Sequence, residues 1–206
     1  FAGMVIRLVG DFDQIRYEGD SVCAGGGVSQ PKLAKSVAGH GFSGLEFALG
    51  IPGSVGGAMI MNAGAWGNDF GERVEQIRVM TDQGEILKLC HDQAGFAYRR
   101  SKLDNYFCVL DASLRLVQGN PKEVTQLMRK YYQRKITTQP FVEGSAGCMF
   151  KNPPNHSAGK LIEECRLKGT RIGDAEVSTT HGNFIINHGK AKAKDVLELI
   201  DLIQNR

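Results

Sequence analysis

Short strand-like runs, apolar at Met4 to Val9 and mixed at Gln14 to Tyr17, alternate with glycine turns at the start of the chain, and Val22 leads into "AGGGVSQ". This pattern predicts short strands joined by glycine turns. Helical spacing follows in "QPKLAKSVAGHGF", where Leu33 and Val37 share a face and Pro31 suits a first turn. "GLEFALGIPGSVGGAMIMNAGAWG" is apolar but must contain turns, because no regular element crosses Pro52-Gly53. "VEQIRVMTDQGEILKL" predicts a hairpin around Asp82-Gln83-Gly84, and Phe107 to Val117 a further strand pair.

From Asn120 onward the signals are helical. Asn120 reads as an N-cap, with Pro121 in the first helical position and Glu123 where a capping-box partner belongs. The helix "PKEVTQLMRKYYQRKI" is expected to link two domains, since composition and turn chemistry change after it. In "AGKLIEECRLKG" Leu161, Ile162 and Cys165 share a face, with Gly169 as its stop. "NFIINHG" reads as a strand, and "AKAKDVLELIDLIQNR" as a helix with Val196, Leu199, Ile200 and Ile203 inward. The chain starts at Phe1 rather than Met, enters a strand-like run at once and stops at Arg206 on a helix. Missing sequence is therefore expected at both ends.

Composition narrows the class. At 206 residues, with 42% hydrophobic and 23% charged, the chain suits a globular protein of one large or two small domains. Its 26 glycines exceed the usual share of roughly 7%, which implies tight turns or backbone close to a ligand. A net charge of +3 without an aromatic-interleaved basic stripe disfavours nucleic acid. No apolar run approaches the roughly 20 residues of a membrane helix. Five scattered cysteines, none in CxxC spacing, argue against a disulfide framework or zinc knuckle and for a reducing cytoplasm.

Three segments carry candidate chemistry. Gly50, Gly53, Gly56 and Gly57 bare the backbone of "GIPGSVGGA", so its N–H groups could cradle a pyrophosphate or simply turn the chain. Neither a Rossmann nor a P-loop pattern is present. In "FAYRRS" an extended backbone would send Arg99 and Arg100 to opposite faces, one into a cleft where it stabilises developing negative charge, or both onto the surface. Cys148 in "SAGCMFKNP" is either strand packing or a thiol acid, since a thiol with pKa near 8.5 is mostly protonated at neutral pH. His181 and His188 have no carboxylate or thiolate close by in sequence, and no histidine has metal-ligand spacing.

Taken in order, "GLEFALGIPGSVGGAMIMNAGAWG", "FAYRRS", "SAGCMFKNP", "AGKLIEECRLKG" and "VSTTHGNFIINHGKAKAKDV" resemble the UDP-N-acetylenolpyruvoylglucosamine reductase family over nearly the whole chain. The resemblance implies an α+β fold: an FAD-binding lobe of the PCMH/VAO-type flavin fold followed by a smaller α/β substrate-binding domain. Residues 1–117 would be the second FAD lobe with the first missing, 118–137 the linking helix and 138–206 an incomplete substrate domain. It implies a monomeric cytoplasmic oxidoreductase of peptidoglycan synthesis that uses FAD and NADPH, acts on a UDP-sugar and needs neither metal, membrane nor nucleic acid. Another FAD-fold oxidoreductase, or a catalytically incomplete nucleotide-binding fragment, is the alternative.

By the same resemblance Arg99 is the catalytic arginine, and Cys148 stands where most members have the serine that protonates carbon. Gly53, Ser54, Val55, Gly56, Gly57, Asn62, Ala63, Gly64 and Ala65 would line the flavin, with the Gly25 to Val28 turn approaching it. Lys151, Asn152 and Glu164 would meet substrate. Neither Glu143 nor Glu198 matches the family's catalytic acid, so none is assigned.

Overall fold

The computed structural model describes residues 2–206, so Phe1, where the expected flavin domain starts, lies outside the described residues. The chain divides into two compact units inside one helix, between Tyr132 and Gln133.

The first unit is built on strands β1 (Ile15–Glu18), β2 (Ser21–Gly25), β3 (Phe42–Ser43), β4 (Gly64–Ala65), β5 (Asn68–Asp69), β6 (Val74–Met80), β7 (Ile86–Cys90), β8 (Cys108–Arg115) and β9 (Val117–Gln118). Its helices are α1 (Gln30–Gly39), α2 (Val55–Ile60), α3 (His91–Ala94) and α4 (Pro121–Thr138), the last running on into the second unit. An antiparallel sheet in the order β1-β2-β8-β6-β7 is its floor. Val22 and Ala24 of β2, Ile77 and Val79 of β6 and Leu114 of β8 are buried with Leu33 and Val37 of α1 and Val55 and Met59 of α2. This burial holds the short, glycine-containing α2, a length at which a helix alone is marginal in water.

Capping sets where the helices start. The Ser29 hydroxyl accepts from Lys32 N–H and opens α1, Ser54 accepts from Gly57 N–H and opens α2, and the Asn120 carboxamide accepts from Lys122 N–H at α4. The expected hairpin is present as β6 and β7, turned through Gly84 at φ 83°.

Two strand expectations in this unit fail. Met4 to Val9 forms no strand: Met4 and Val5 are 82% and 84% exposed, because among the described residues no strand pairs with this run. The main chain beyond it packs instead on the glycine turn, Gly25 N–H donating to Gln14 O and Gly27 N–H to Phe12 O, both at 2.9 Å. Phe107 to Val117 is not a strand pair either. Cys108–Arg115 is one strand with no turn residue to break it, and its polar Asp111 lies opposite Arg78 of β6, whose guanidinium pairs with it. The next residues, β9, leave the large sheet and pair with β3.

The second unit has strands β10 (Gly144–Cys148), β11 (Arg171–Ile172), β12 (Ala175–Val177) and β13 (Phe184–Asn187), and helices α5 (Ala158–Glu164) and α6 (Ala193–Gln204). The sheet runs β10-β13-β12-β11, wholly antiparallel. Ile162, Leu167, Val177, Ile185 and Leu199 form its core, with Val196, Ile200 and Ile203 of α6 packed against it as the 3.6-residue spacing requires. Gly169 does not end α5. The helix stops at Glu164, where Arg166 takes φ 57°, and Gly169 at φ 79° turns a loop beyond it.

Candidate active site

Arg99 is built into the first unit by a knot of main-chain bonds. Ala97 and Arg100 exchange hydrogen bonds at 3.0 and 3.2 Å, so "AYRR" is a tight turn and not extended chain. Arg99 sits inside it at φ 53°, and the opposite-face expectation for Arg99 and Arg100 is replaced by a backbone conformation that an L-residue adopts only when its surroundings impose it. Its guanidinium donates to the carbonyls of Asn62, at 3.2 Å, and Gly64, and lies 5.2 Å from the centre of the Tyr98 ring. Among the described residues it has no carboxylate partner. Its charge is therefore aimed without being neutralised.

Asn62 is the other half of the knot. Buried to 3% exposure and at φ 41°, it accepts from Gly71 N–H at 2.8 Å and donates to Ala97 O at 3.2 Å. The Ser101 hydroxyl donates to Ile60 O at 2.9 Å. The turn bearing Arg99 is thus tied to the end of α2. Ala63 and Gly64 continue into the β4–β5 hairpin, which reverses through Trp66 at φ 60° and Gly67 at φ 82°. Asn62, Trp66 and Arg99 are three of the five non-glycine residues at positive φ in the described chain, gathered in one place. An adjoining cleft of 260 Å³, lined by Asn62, Phe96, Tyr98, Asp69, Glu72 and His91, carries two carboxylates and so does not suit a diphosphate.

The glycine segment is organised differently from its sequence reading. Val55 N–H donates to Val28 O at 2.8 Å, Gly56 N–H to Gly26 O at 2.9 Å and Gly57 N–H to the Ser54 hydroxyl at 3.3 Å. These amides join two turns and do not converge on an anion. What stays available lies on Ser29 and Ser54, which face each other across an isolated antiparallel bridge. Gln30 N–H to Gly53 O and Val55 N–H to Val28 O flank the pair, so the serines' own N–H groups point away from the bridge. Each hydroxyl accepts from its helix and keeps a proton to donate.

In the second unit Cys148 ends β10, exposed, one residue past Gly147 at φ 90°. Lys135, from the last turns of α4, is near enough for its charge to feel the Cys148 thiol. Burial lowers the Lys135 pKa below its usual value, and Cys148 acts in the opposite sense. The Asn152 carboxamide accepts from Ala158 N–H at 3.0 Å and ties the loop after Cys148 to the start of α5, while Lys151 is exposed. Glu164 is exposed at the other end of α5, roughly 10 Å along a helix of this length, beside Lys160 at 3.8 Å. The structure thus groups Cys148, Lys151 and Asn152 in one segment and leaves Glu164 apart.

His188 does have a carboxylate companion: its Nε2 lies 2.9 Å from Glu176 Oε2, because β12 and β13 pair antiparallel and bring together residues twelve apart. Lys135, Ser29, Gln30 and Asn183 escaped the sequence reading. Asn183 alone had a signal, a polar residue between a glycine and a buried apolar strand.

Residues 139–206 match the family model described as UDP-N-acetylenolpyruvoylglucosamine reductase, C-terminal domain, and residues 1–89 match an FAD binding domain. The chain is 46% identical over 206 residues to the UDP-N-acetylenolpyruvoylglucosamine reductase of Bacillus subtilis, covering 98% of this chain and 67% of that protein. The chain belongs to the UDP-N-acetylenolpyruvoylglucosamine reductase family. A similar relative is UDP-N-acetylenolpyruvoylglucosamine reductase 2 of Symbiobacterium thermophilum, 43% identical over 98% of this chain and 66% of its own. The crystal structure of the reductase from Thermus caldophilus superimposes with a TM-score of 0.88 at 42% identity, covering 97% of this chain and 73% of that one. The chain spans about two thirds of the length of these curated relatives.

The reductase family's flavin can be tested against the residues present. Side chains added at Gly53 and Gly57 would meet only Gln30 Nε2 at 3.6 Å and the Ser54 hydroxyl at 3.7 Å, so that face is open. The Gln30 carboxamide donates to Pro52 O at 3.2 Å, and its oxygen is buried with no hydrogen-bond partner. Two serine hydroxyl protons, an unmatched acceptor and an open glycine face suit a group that carries phosphate oxygens and hydroxyl donors. The residues fit.

Proposed function

We propose that this protein reduces the enolpyruvyl group of UDP-N-acetylglucosamine enolpyruvate to give UDP-N-acetylmuramate, with FAD and NADPH, in peptidoglycan precursor synthesis. The observation that carries the reading is Arg99: a guanidinium held in a strained turn between two carbonyls and, among the described residues, without a carboxylate to quench it. Nature tolerates such strain where the surroundings over-determine it, and it clusters at functional sites.

FAD bound against Ser29, Ser54, Gly53 to Gly57 and Asn62 to Ala65 would supply the hydride that NADPH delivers. Arg99 then does electrostatic work. As hydride reaches the terminal carbon, negative charge spreads onto the carboxylated carbon and its oxygens, and a preorganised guanidinium stabilises that charge without reorganising. Cys148 holds the proton. Its Sγ–H is an intrinsically stronger acid than the serine hydroxyl usual at this position, and it delivers the proton to the neighbouring carbon to complete a net addition of two electrons and two protons. Lys151 and Asn152 would contact the nucleotide sugar, and Glu164 would do so at the far end of α5. Cytoplasmic action as a monomer accords with this reading, and among the described residues no helix is long and apolar enough to cross a membrane.

The test is direct. The protein is mixed with FAD and NADPH, and flavin absorbance is followed on addition of the enolpyruvyl nucleotide. Bound, reduced flavin should reoxidise stoichiometrically with nucleotide. A protein that stays colourless, or reduced flavin indifferent to the nucleotide, would refute the reading.

A further inference from the structure

Asn183 turns both ends of its carboxamide on the main chain of one residue, Phe150. Phe150 N–H donates to its Oδ1 at 2.9 Å, and its Nδ2 donates to Phe150 O at 2.8 Å. Its main chain extends the same grip, since Met149 N–H donates to Asn183 O at 2.9 Å, while Asn183 N–H is held locally by His181 Nδ1 at 3.2 Å. The residue is 3% exposed, so its carboxamide is largely shielded from water, although Phe150 is only half-buried.

The location explains the need. The register between β10 and β13 shifts between Ser145 and Cys148, and Gly147 takes φ 90° with nothing within 4 Å of where a Cβ would be. Regular pairing therefore lapses just before Cys148, which regains a strand partner in Phe184 only as β10 ends. Asn183 continues the pairing two residues later with a planar donor–acceptor pair that mimics a strand partner. Aspartate lacks the donor, leucine lacks both groups and glutamine is longer by a methylene.

We infer that Asn183 is a positioning residue: its clamp on Phe150 sets the backbone that carries Cys148, Lys151 and Asn152. It touches no reacting atom, because both ends of its carboxamide are already engaged. The consequence for catalysis rests on the proposed function, whereas the clamp itself does not.

The experiment uses the intact protein and the variants Asn183→Asp and Asn183→Leu, with amide hydrogen exchange and steady-state kinetics. Met149 and Phe150 amides should exchange about tenfold faster or more, with Val177 and Ile185 unchanged, as loss of one buried bond predicts. The kcat should fall about tenfold, and most of that fall should disappear in a Cys148→Ala background, because the effect on proton delivery passes through Cys148 while Lys151 and Asn152 act on KM. Unchanged exchange at Phe150 in a folded variant, equal acceleration at Val177 and Ile185, or a full additional kcat loss beside Cys148→Ala would each overturn the inference. Should neither variant fold, the unaltered protein decides: Phe150 protected to the level of Ile185 supports the clamp, and Phe150 exchanging as fast as His156 overturns it. If the protein fails to reduce the nucleotide at all, the exchange result still stands, and only the proposed function falls.

Discussion

Arg99 and Asn62 hold each other in place. The Asn62 carbonyl accepts from the Arg99 guanidinium, while the Asn62 carboxamide donates to Ala97 in the turn that carries Arg99. Both residues sit at positive φ, so each strained backbone is secured through the other. Asn62→Ala leaves Gly71 N–H and Ala97 O without their side-chain partner. Ala97 O keeps its bond from Arg100 N–H, so the loss falls chiefly on the buried Gly71 N–H and should cost about 1 to 3 kcal/mol in urea denaturation.

Arg99→Lys tests charge against geometry. Lysine keeps the charge but not a planar fork able to donate to two carbonyls at once and still face a ligand. The kcat should fall on the order of 10²-fold, with flavin affinity unchanged by spectroscopic titration.

Cys148→Ser should keep turnover within about tenfold of the parent, since serine can also donate a proton from the same site, and should abolish inactivation by iodoacetamide at that position. Cys148→Ala should lose about 10²-fold or more in kcat. An alanine variant with parental kcat would mean that the thiol is not the proton donor.

Ser54→Ala separates stability from cofactor binding. Loss of the cap on α2 costs about 1 kcal/mol. If the hydroxyl proton also serves a phosphate oxygen, flavin affinity should weaken about tenfold, a larger effect than the stability change alone explains. Thermal denaturation with and without FAD measures both.

His181 sets a pH dependence. Burial pushes its pKa below the ordinary value near 6.5, and its Nδ1 accepts from Asn183 N–H, which requires an unprotonated nitrogen. The folded state holds the neutral form, so its stability is full above about 6.5. Stability falls as pH drops from there towards the folded-state pKa, where the unfolded chain binds the additional proton. Urea midpoints at falling pH should show this loss, and His181→Asn, which keeps a neutral acceptor in place of Nδ1, should reduce it.

Much of the fold was legible because it rests on local physics. Periodicity marked the β6–β7 hairpin, α1, α4 and α6, and the capping asparagine marked where α4 begins. The chemistry was legible only as an order of motifs, in which Arg99 and Cys148 were bare candidates. Partner choice was not legible at all. Met4 to Val9 has the apolar run of a strand and, among the described residues, no strand beside it, Phe107 to Val117 was read as a strand pair where Cys108–Arg115 is one strand, and the amides of Val55, Gly56 and Gly57 turned inward to the Val28 and Gly26 carbonyls and the Ser54 hydroxyl. A side chain's face can be read from its spacing, but what satisfies a buried polar group depends on residues far along the chain: Asn62 with Arg99 and Gly71, Asn183 with Phe150 and His188 with Glu176. Sequence alone determined which residues could do chemistry, and tertiary structure decided which of their hydrogen-bonding groups were already spent.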